Sequence, residues 1–485
     1  MIACGKRIPD SEHAVSVSLP TMRDVTGYEE QDPAVLRAIC SGYPRFVCHW
    51  MVKQVQDMLG PGVVALHDRT AVDLFRSQLR VDVEVLEDLP FGAVRLSEEQ
   101  QQCLGEPVRR FLQHTGLQLS SRAAEDFLIA RGVRGCDERD HVNPIADAEG
   151  GIKRVLSDAY GTCVEQIDLF SSGMAAVYAV HRAIHRKQRQ SGRKIWLQVG
   201  WLYLDTSALL ERFIGETVVF GVHALDEVEA YLARNHGKVA GVTTEIMTNP
   251  LLQTTDIVRL SRLCRQYAIP LIIDTSMPTP INVDVLALAD VVVESLTKFA
   301  SGHADVMAGA AVYRPDSEWA SAIRSDVCAS PPYVRDAWVL AAHIRGYRER
   351  MQQINARTRI LGDYFRGHPC VQRVYDAGQG CSRESYDRIR RADGGYGGVL
   401  SVVFKVPLEQ IYDTVRLCKG PSFGTVFTLC MPYVYLAHYD LVSTAAGRRT
   451  LHAHGVDPEL LRISVGLEPV EDIIAAFEVV MPRAW

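Results

Sequence analysis

Short apolar runs alternate with amphipathic stretches through the middle of the chain, from about residue 151 to 314. Each run is rich in β-branched residues and apolar at nearly every position, which is typical of strands buried on both faces of a sheet. The stretches between the runs carry apolar residues at helical spacing. The pattern therefore predicts an α/β fold with a mostly parallel central sheet and helices on both of its faces. The predicted strands are 195–199, 217–222, 239–244, 270–274 and 290–294, and the predicted helices between them include 224–235 and 256–267.

The pattern changes on both sides of this region. A chain of 485 residues is long enough for two or three domains. We expect residues 1–150 to form an extended arm and a small added α/β subdomain, 151–345 the large sheet domain, and 346–485 a smaller α+β domain. The outer predicted elements are strands 63–67, 81–86, 398–404 and 461–466 and helices 70–79, 98–113, 347–366 and 470–480.

The charge balance argues against polyanionic partners. The chain carries 52 Lys and Arg against 58 Asp and Glu, a formal net charge of −6, so it has no bulk attraction for nucleic acid or an anionic membrane. Its densest basic run, 185–194, follows a helical pattern and is typical of a cationic helix C-terminus. No run approaches the roughly 18 apolar residues of a membrane span. We expect a small-molecule ligand, with neither nucleic acid nor membrane as a partner.

The cysteines predict neither a disulfide framework nor a zinc site. Twelve of them are spread from Cys4 to Cys430 without a C-x-x-C pair, and the first residues lack the apolar core of a signal peptide. His452 and His454 lack the cysteine pair that a zinc site would need. A cytoplasmic location and the absence of a bound metal are the expectation.

Lys298 is the first candidate for chemistry. It follows the apolar run that ends near residue 294, in the sequence E-S-L-T-K, with Ser295 and Thr297 beside it. A lysine amine can form a Schiff base with a carbonyl when its surroundings keep part of it neutral. The two hydroxyls could donate hydrogen bonds to a phosphate. For this segment alone, a solvated lysine after a strand is the alternative.

A second motif, F-S-S-G-M-A-A at 170–176, precedes an apolar helix. Backbone amides at a helix N-terminus, together with the helix dipole, favour a phosphate, so the amides of Gly173 and Met174 are candidate donors. Ordinary serine capping of a helix is the alternative. The presence of S-L-T-K in the same chain favours the phosphate site.

Two charged residues stand on apolar strands and should have partners of opposite charge. Asp274 ends the strand at 270–274, where it could hold a pyridinium nitrogen; at ~4 Å such a pair is worth about 4 kcal/mol before desolvation. Arg462, in L-L-R-I-S-V-G, could bind an α-carboxylate through two hydrogen bonds. A turn-capping aspartate and an internal salt bridge are the respective alternatives.

Two further polar groups follow predicted strands. Tyr203, in W-L-Y-L-D-T, could stack on a heteroaromatic ring, with Trp201 as the second choice. Asn249, in E-I-M-T-N-P, could donate to a phenolate oxygen or to a substrate carboxylate. An Asn-Pro pair that only makes a turn is the alternative.

These motifs, in this order, resemble the pyridoxal-phosphate enzymes of cysteine and methionine metabolism, the cystathionine γ-synthase and γ-lyase family of fold type I. The strongest matches are S-S-G-M-A-A, I-D-T-S-M-P-T-P, S-L-T-K-F-x-S-G-H-A-D-V and L-R-I-S-V-G-L-E, and the likeness covers about residues 43–480. Other segments resemble the long cystathionine γ-synthase branch known from fungi. These are H-A-V-S-V-S-L-P-T at 13–21, G-Y-E-E at 27–30, S-G-Y-P-R-F at 41–46, Q-H-T-G at 113–116 and K-G-P-S-F-G-T at 419–425.

The resemblance implies pyridoxal 5'-phosphate as the cofactor, bound covalently through Lys298. Asp274 would hold the pyridine nitrogen and Tyr203 would stack on the ring, so that the lysine and the tyrosine are the catalytic candidates. In the family a Tyr-x-Arg pair from a neighbouring subunit completes the phosphate site, which implies a homo-oligomer, a dimer of dimers. The remaining cofactor-binding candidates are Gly173, Met174, Ser295, Thr297, Tyr43, Arg45 and Asn249, and the substrate-binding candidates are Arg462, Asn249, Ser422, Thr425 and Phe427.

Two departures from the family pattern bear on function. The usual Tyr-Gly-Gly-Thr loop reads Y-L-D-T at 203–206. The family's Glu-Ser pair near the substrate side chain is replaced by Phe427 and Thr428, which removes a carboxylate from a place where a distal ammonium could bind. The leaving group and any second substrate therefore stay open.

The resemblance implies chemistry at Cγ of an amino acid through a β,γ-unsaturated ketimine. The first expectation is γ-replacement, as in a cystathionine γ-synthase that joins cysteine to an O-activated homoserine. The alternative is a specialised γ-elimination lyase, such as one that removes chloride from 4-chloro-allylglycine to give propargylglycine. An inactive scaffold that retains the fold is a third reading. A nicotinamide dehydrogenase is disfavoured, because the G-P-G at 60–62 lacks a third glycine.

Overall fold

The first part of the chain forms an arm and a small unit of sheet and helices. The computed structural model describes residues 2–39, 41–43, 47–136, 141–327 and 329–481. The elements of the first part are β1 (Arg7–Ile8), β2 (Ser16–Val17), α1 (Met22–Glu29), α2 (Pro33–Ala38), α3 (Trp50–Leu59), β3 (Val63–Leu66), α4 (Arg69–Leu79), β4 (Glu84–Val85), β5 (Gly92–Arg95), α5 (Glu98–Thr115) and α6 (Ser121–Ala130). β1 pairs with β2, while β3, β5 and β4 form an antiparallel sheet in that order. The strand predicted at 81–86 is reduced to the two residues of β4.

The added unit packs on the centre of the molecule through a shared apolar core. Phe75 and Phe111 are fully buried and meet edge to face, with 5.3 Å between ring centroids. The same cluster continues into Met174, Ala176 and Trp196 of the central region. Full burial of each large side chain contributes about 1.5–3 kcal/mol. The unit is therefore joined to the centre by apolar contact as well as by the chain itself.

The central region carries the large sheet. Its elements are α7 (Ala148–Tyr160), β6 (Ile167–Phe170), α8 (Gly173–Gln190), β7 (Ile195–Val199), α9 (Leu204–Leu209), β8 (Glu216–Phe220), α10 (Leu225–Asn235), β9 (Val239–Glu245), α11 (Ile257–Gln266), β10 (Leu271–Asp274), β11 (Val291–Ser295), β12 (Gly309–Tyr313), α12 (Ala320–Arg324) and α13 (Val334–His343). The spatial order is β6-β12-β11-β10-β9-β7-β8, and all neighbours from β11 to β8 are parallel. The predicted mostly parallel sheet is confirmed. β12 runs antiparallel to both of its neighbours.

The last part of the chain forms a second, smaller sheet with helices. Its elements are α14 (Tyr347–Gly367), β13 (Val371–Tyr375), α15 (Arg383–Asp387), β14 (Val399–Phe404), α16 (Leu408–Thr414), β15 (Cys418–Lys419), β16 (Leu429–Pro432), α17 (Tyr433–Ala437), α18 (Tyr439–Val442), α19 (Ala445–Ala453), β17 (Leu461–Ser464) and α20 (Val470–Glu478). The strand order is β13-β14-β17-β16-β15. Arg462 therefore stands on the central strand of this sheet, opposite Ser401 on one side and Met431 on the other. Within the described ranges, no helix has the length and apolar character needed to cross a membrane.

A buried carboxylate ties the arm, the added unit and the central region together. Glu125, on α6, is fully buried; its Oε2 lies 3.4 Å from His13 Nε2 in the arm and accepts a hydrogen bond from Arg335 Nη1 of α13 at 2.7 Å. Burial alone would raise the pKa of Glu125, but the contacts with His13 and Arg335 outweigh it and lower the pKa from 4.5 to about 2. Since one carboxylate joins three parts of the chain, its charge should affect folding as a whole.

Glu125→Gln should lower stability most at neutral pH. Because the folded-state pKa of Glu125 is depressed, the ionised carboxylate contributes stability above its ordinary pKa, and the contribution is lost as the pH falls towards 2. The free energy of unfolding from urea titrations should be about 3 kcal/mol lower in the variant at pH 7, and the difference should shrink in acid. Glu87→Gln, which breaks an exposed pair with Arg69, should change it by less than about 1 kcal/mol. A difference that does not depend on pH would contradict the prediction.

Candidate active site

A cavity lies at the carboxyl-terminal edge of the central sheet, where the predicted site residues should converge. Strands β9, β10 and β11 end there with Glu245, Asp274 and Ser295, all of which line the cavity. In the sheet register Asp274 stands beside Glu245 and Val293. Helix α8 begins next to these strand ends with Gly173, and the C-terminal part of the chain closes the opposite side. Parallel strands thus bring groups that are distant in sequence to one place.

Lys298 lies inside this cavity with 8% of its surface exposed. Its Nζ donates a hydrogen bond to Ser422 Oγ at 2.8 Å and lies 4.4 Å from the centroid of the Tyr43 ring. Burial, and secondly the nearby Arg462 guanidinium, lower the pKa of Lys298 from 10.5 to about 7. A large fraction of the amine is therefore neutral near pH 7, which is the state that attacks a carbonyl.

Ser422 is held in a backbone conformation that residues other than glycine rarely adopt, with a φ of 91°. Such a conformation costs of order 1–3 kcal/mol and persists only where the surroundings hold it. Here Arg462 Nη2 donates to the Ser422 carbonyl oxygen at 2.6 Å, while the Ser422 hydroxyl accepts from Lys298. The serine therefore fixes the lysine and the arginine relative to each other.

The start of α8 forms a cradle that fits a phosphate. Ser172 caps the helix by accepting a hydrogen bond from Ala175 N at 3.0 Å, and the amides of Gly173 and Met174 lie in the first turn, where helix amides have no carbonyl partner within the helix. Ser295 Oγ is buried and has no hydrogen-bond partner among the described residues. A Cβ at Gly173 would lie 2.8 Å from Ser295 Cβ, so only glycine allows this close approach.

Asp274 and Glu245 are adjacent carboxylates at the ends of neighbouring strands. Asp274 Oδ1 accepts a hydrogen bond from Ser276 N at 2.7 Å, and Glu245 accepts one from the backbone amide of Tyr203. Burial raises the pKa of both acids, and the proximity of Asp274 raises that of Glu245 further. A cation bound beside the pair would lower the pKa of both acids and so favour their ionised forms.

Glu294 is a third buried carboxylate on the cavity wall, on the strand that leads to Lys298. Its two oxygens accept hydrogen bonds from the hydroxyls of Tyr160 and Tyr347, each at 2.6 Å. Burial raises the pKa of Glu294 to about 7, against the opposing effect of the two tyrosines. Neither Glu245 nor Glu294 was predicted from the sequence as a site residue. An acid at the end of β9, and one within an otherwise apolar β11, were the signals that could have found them.

Arg462 is buried in the cavity wall without an acidic partner among the described residues. Its guanidinium lies over the rings of Tyr433 and Phe423, 5.0 and 5.4 Å from their centroids, and donates to Asn249 Oδ1 at 3.3 Å. Burial lowers the pKa of Arg462 from 12.5 to about 10. The internal salt bridge considered from the sequence is absent from the described ranges. A buried guanidinium in this setting is poised for an external anion.

Not every predicted residue reaches the cavity. Thr297 is buried, and its Oγ1 accepts from Ala308 N at 3.1 Å, so its hydroxyl is used within the fold. Thr425 is also buried and donates to the carbonyl oxygen of Phe427 at 2.5 Å. Thr297, Thr425 and Phe427 are not among the residues that line the cavity. These placements correct the expectation that Thr297 faces a phosphate and that Thr425 and Phe427 face the substrate.

Tyr43 lines the cavity of its own chain, whereas the resemblance placed a tyrosine of this type in a neighbouring subunit. Arg45, its predicted companion, lies outside the described residues. Tyr203 and Asn249 also line the cavity, and Trp201, the second choice for stacking, does not. No group of three His, Cys, Asp or Glu side chains suited to a metal ion occurs in the ranges that the structure describes.

The arrangement defines a class of site. A lysine of lowered pKa stands beside an anion cradle at a helix N-terminus, and buried carboxylates stand where a protonated ring nitrogen would need one. These are the groups that pyridoxal phosphate requires for an aldehyde, a phosphate and a pyridine nitrogen. The residues present therefore fit this cofactor.

Comparison with known proteins supports the same cofactor. The family described as Cys/Met metabolism PLP-dependent enzyme matches residues 159–481, so the chain belongs to that family. It is 38% identical to L-2-amino-4-chloropent-4-enoate dechlorinase/desaturase of Streptantibioticus cattleyicolor, over 97% of this chain and 96% of the relative. It is 28% identical to cystathionine gamma-synthase of Neurospora crassa, over 98% and 97%. The crystal structure of cystathionine gamma synthase from Xanthomonas oryzae in complex with cystathionine matches with a TM-score of 0.58 and 22% identity, over 68% of this chain and 84% of that one.

Several expectations from the sequence are thereby confirmed. The chain has the type I fold of pyridoxal-phosphate enzymes, and it is a pyridoxal-phosphate enzyme of the cysteine and methionine metabolism family. The readings as an inactive scaffold and as a nicotinamide dehydrogenase are not supported. The individual roles of the site residues stay predictions.

Capture of the cofactor by the apoprotein should depend on the neutral form of Lys298. The rate of pyridoxal phosphate uptake, followed by absorbance, should rise with pH through a midpoint near 7 rather than near the ordinary 10.5. Pyridoxal without its phosphate should show the same midpoint, because the amine and not the phosphate titrates. Arg462→Met should raise the midpoint, since it removes a nearby positive charge. A midpoint that stays above about 9 in the wild-type protein would contradict the burial argument.

The position of Tyr43 can be tested with mixed chains. Tyr43→Ala and Lys298→Ala proteins, refolded together, should recover no activity beyond that of the Tyr43→Ala chains alone, because each intact lysine lies beside the tyrosine of its own chain. Refolding each variant with wild-type chains controls for losses during mixing. Recovery in the doubly mutant mixture would mean that the tyrosine comes from a neighbouring subunit.

Proposed function

We propose that the chain catalyses γ-elimination from an amino acid whose γ-substituent is small and uncharged. The observation that carries the proposal is the charge content of the cavity. Among the described lining residues, Lys298 and Arg462 are the only Lys or Arg side chains. The lysine is required by the cofactor and the arginine by the α-carboxylate, so none of the described lining residues is a further cation for an O-succinyl group or for the carboxylate of a second amino acid. Much of the remaining wall is apolar, namely Val177, Met247, Met277, Pro278, Pro421, Phe423 and Met431.

The comparisons support this choice over γ-replacement. The relative with 38% identity is by name a dechlorinase and desaturase of L-2-amino-4-chloropent-4-enoate, in which the substituent at Cγ is chlorine. The cystathionine gamma-synthase of Neurospora crassa is less similar, at 28%. Chlorine needs no charged partner in the resting site, and an apolar wall suits it. We therefore take this chlorinated amino acid, or a close analogue, as the substrate.

The proposed roles follow from the contacts. Pyridoxal phosphate, when bound, supplies the electron sink that stabilises negative charge next to the amino group. The amides of Gly173 and Met174 and the Ser295 hydroxyl would hold its phosphate, and Asp274 its ring nitrogen. Tyr203 would stack on the ring.

The substrate side of the site is proposed on the same grounds. Arg462 would bind the α-carboxylate, with Asn249 beside it. The neutral Lys298 amine would take the Cα proton and then remove one from Cβ. The electron pair left at Cβ would form a new Cβ–Cγ π bond as chloride leaves Cγ with the C–Cl electron pair, so that the net loss is one proton and one chloride. Ser422 would keep the Lys298 Nζ aimed at these carbons, since it already accepts a hydrogen bond from that atom.

A homo-oligomer, arranged as a dimer of dimers, remains part of the proposal. The resemblance implies it, but Tyr43 does not require it, because this residue lies in the cavity of its own chain. Light scattering of the purified protein would give the subunit number directly.

Two assays on the purified protein separate the candidate reactions. With L-2-amino-4-chloropent-4-enoate we expect chloride release at one equivalent per substrate, and with O-succinylhomoserine plus cysteine we expect no cystathionine. Lys298→Ala should abolish chloride release, and the same variant controls for chemical breakdown of the substrate. Cystathionine formation faster than chloride release would instead support γ-replacement, the alternative favoured by the long-branch sequence motifs.

A further inference from the structure

The Q-H-T-G segment at 113–116 has no role in the proposed reaction, yet it lies against the cofactor site. It forms the end of α5 in the added N-terminal region, and Gly116 terminates that helix with a φ of 66°. His114 is 5% exposed and Thr115 is fully buried. A polar segment buried this deeply must have internal partners.

The partner of Gln113 and His114 is Asp205. Gln113 Nε2 donates to Asp205 Oδ1 at 2.9 Å, and His114 Nδ1 lies 3.1 Å from the same oxygen. Asp205 is 1% exposed, so its carboxylate depends on such contacts. It occupies a position at which the family's Y-G-G-T loop has a glycine.

Asp205 stands two residues after Tyr203, in the first turn of α9. The carbonyl oxygen of Tyr203 accepts hydrogen bonds from Thr206 N at 2.9 Å and from Ser207 N at 3.1 Å, which fixes the tyrosine backbone to this turn. The Tyr203 amide is held from the other side by Glu245. Fixing Asp205 therefore fixes the start of the helix from which the Tyr203 ring enters the cavity.

Gly116, three residues after Gln113, contacts the phosphate cradle. Its carbonyl oxygen accepts from Ser172 Oγ at 3.1 Å, and Ser172 is the cap of α8. A Cβ at Gly116 would lie 2.2 Å from Ser172 Oγ and 3.1 Å from Ala175 N, so only glycine fits. One tetrapeptide thus touches the segment of Tyr203 and the segment of Gly173 at the same time.

We propose that residues 113–116 are a positioning element of the cofactor site, in which Gln113 and His114 hold Tyr203 through Asp205 and Gly116 holds the cap of α8. The inference rests on the proposed role of Tyr203 in stacking on the cofactor ring. It gives the added N-terminal region a function in cofactor retention. It also explains why an aspartate is tolerated where the family has a glycine.

Shape-matched variants test the hydrogen bonds without changing the packing. His114→Leu removes the donor and His114→Asn keeps a donor near the place of Nδ1, while the two side chains have nearly the same shape. Gln113→Met removes the second donor at similar length. The readouts are the dissociation constant of pyridoxal phosphate, the circular dichroism of the bound cofactor per mole bound, and the melting temperature of the apoprotein.

The double variant Gln113→Met with His114→Leu should bind the cofactor about tenfold or more weakly and show reduced cofactor ellipticity. Gln113→Met with His114→Asn should recover most of both signals. A purely structural role would lower the melting temperature but leave the ellipticity per bound cofactor unchanged. Glu106→Gln, which breaks exposed ion pairs with Arg109 and Arg110 on the same helix, should change neither signal.

Wild-type affinity and ellipticity in the double variant would overturn the proposal. If that variant does not fold, the single variant Gln113→Met tests the proposal through the same two measurements, cofactor affinity and ellipticity. Gln113 is only half-buried, so we expect this substitution to leave the fold intact. Tyr203→Leu separates this proposal from the function on which it rests. Normal ellipticity in Tyr203→Leu would overturn the stacking role itself, whereas a reduced signal there together with unchanged 113–114 variants would overturn only the positioning element.

Discussion

Burial of ionisable groups in one cavity is the constraint on which the rest of the structure depends. Lys298, Arg462, Glu245, Asp274 and Glu294 share this cavity, and burial is the largest cause of the pKa shift at each of them. Removing such groups from water is costly, and their mutual attraction repays only part of the cost. The outcome is an amine that is partly neutral, a guanidinium without an acidic partner in the described chain, and carboxyl groups whose pKa values are raised. A cofactor with a phosphate and a pyridinium nitrogen, and a substrate with an α-carboxylate, supply the missing opposite charges.

The free-energy cost of burying these charges is offset by the apolar packing of two sheets, which contribute residues to the cavity from opposite sides. The parallel strands β9 to β11 are almost entirely buried along their length, and their polar residues are confined to the carboxyl-terminal ends, at 243–245, 274 and 294–295. The central strand of the smaller sheet, β17, is likewise buried at all four positions, with Arg462 between apolar neighbours. Each polar group is therefore placed by a strand whose position is fixed by apolar packing, so the polar groups need little freedom of their own. This is the condition for a site whose charges are prearranged.

How far the sequence could predict the site depends on the range of the interactions involved. Lys298, Asp274 and Gly173 were found because each is marked by its own neighbours, a strand followed by a nucleophile, an acid or a helix start. Most central strands were predicted within one or two residues for the same reason. β6 and β12 were missed, because β12 contains two alanines and a glycine, which are weak strand formers, and β6 has an aspartate among only four residues. Thr425 and Phe427 were carried over from a pattern, but the path of their loop turns them away from the cavity. Glu245 and Glu294 carry a local signal too, an acid in a mostly apolar strand, but only the pairing of β9, β10 and β11 shows that they share one cavity with Asp274.

The Q-H-T-G segment at 113–116 and the Y-L-D-T loop at 203–206 are best understood as one feature. A carboxylate at position 205 in place of a glycine would by itself put an unpaired charge into an apolar core, which is strongly destabilising. The amide of Gln113 and the imidazole of His114 remove that penalty, and they are available only because the added region packs its α5 against α8 and α9. Conversely, the buried His114 would lose this acceptor if residue 205 were a glycine. The Q-H-T-G segment and the Y-L-D-T loop therefore belong to a single structural unit that links the added region to the cofactor site.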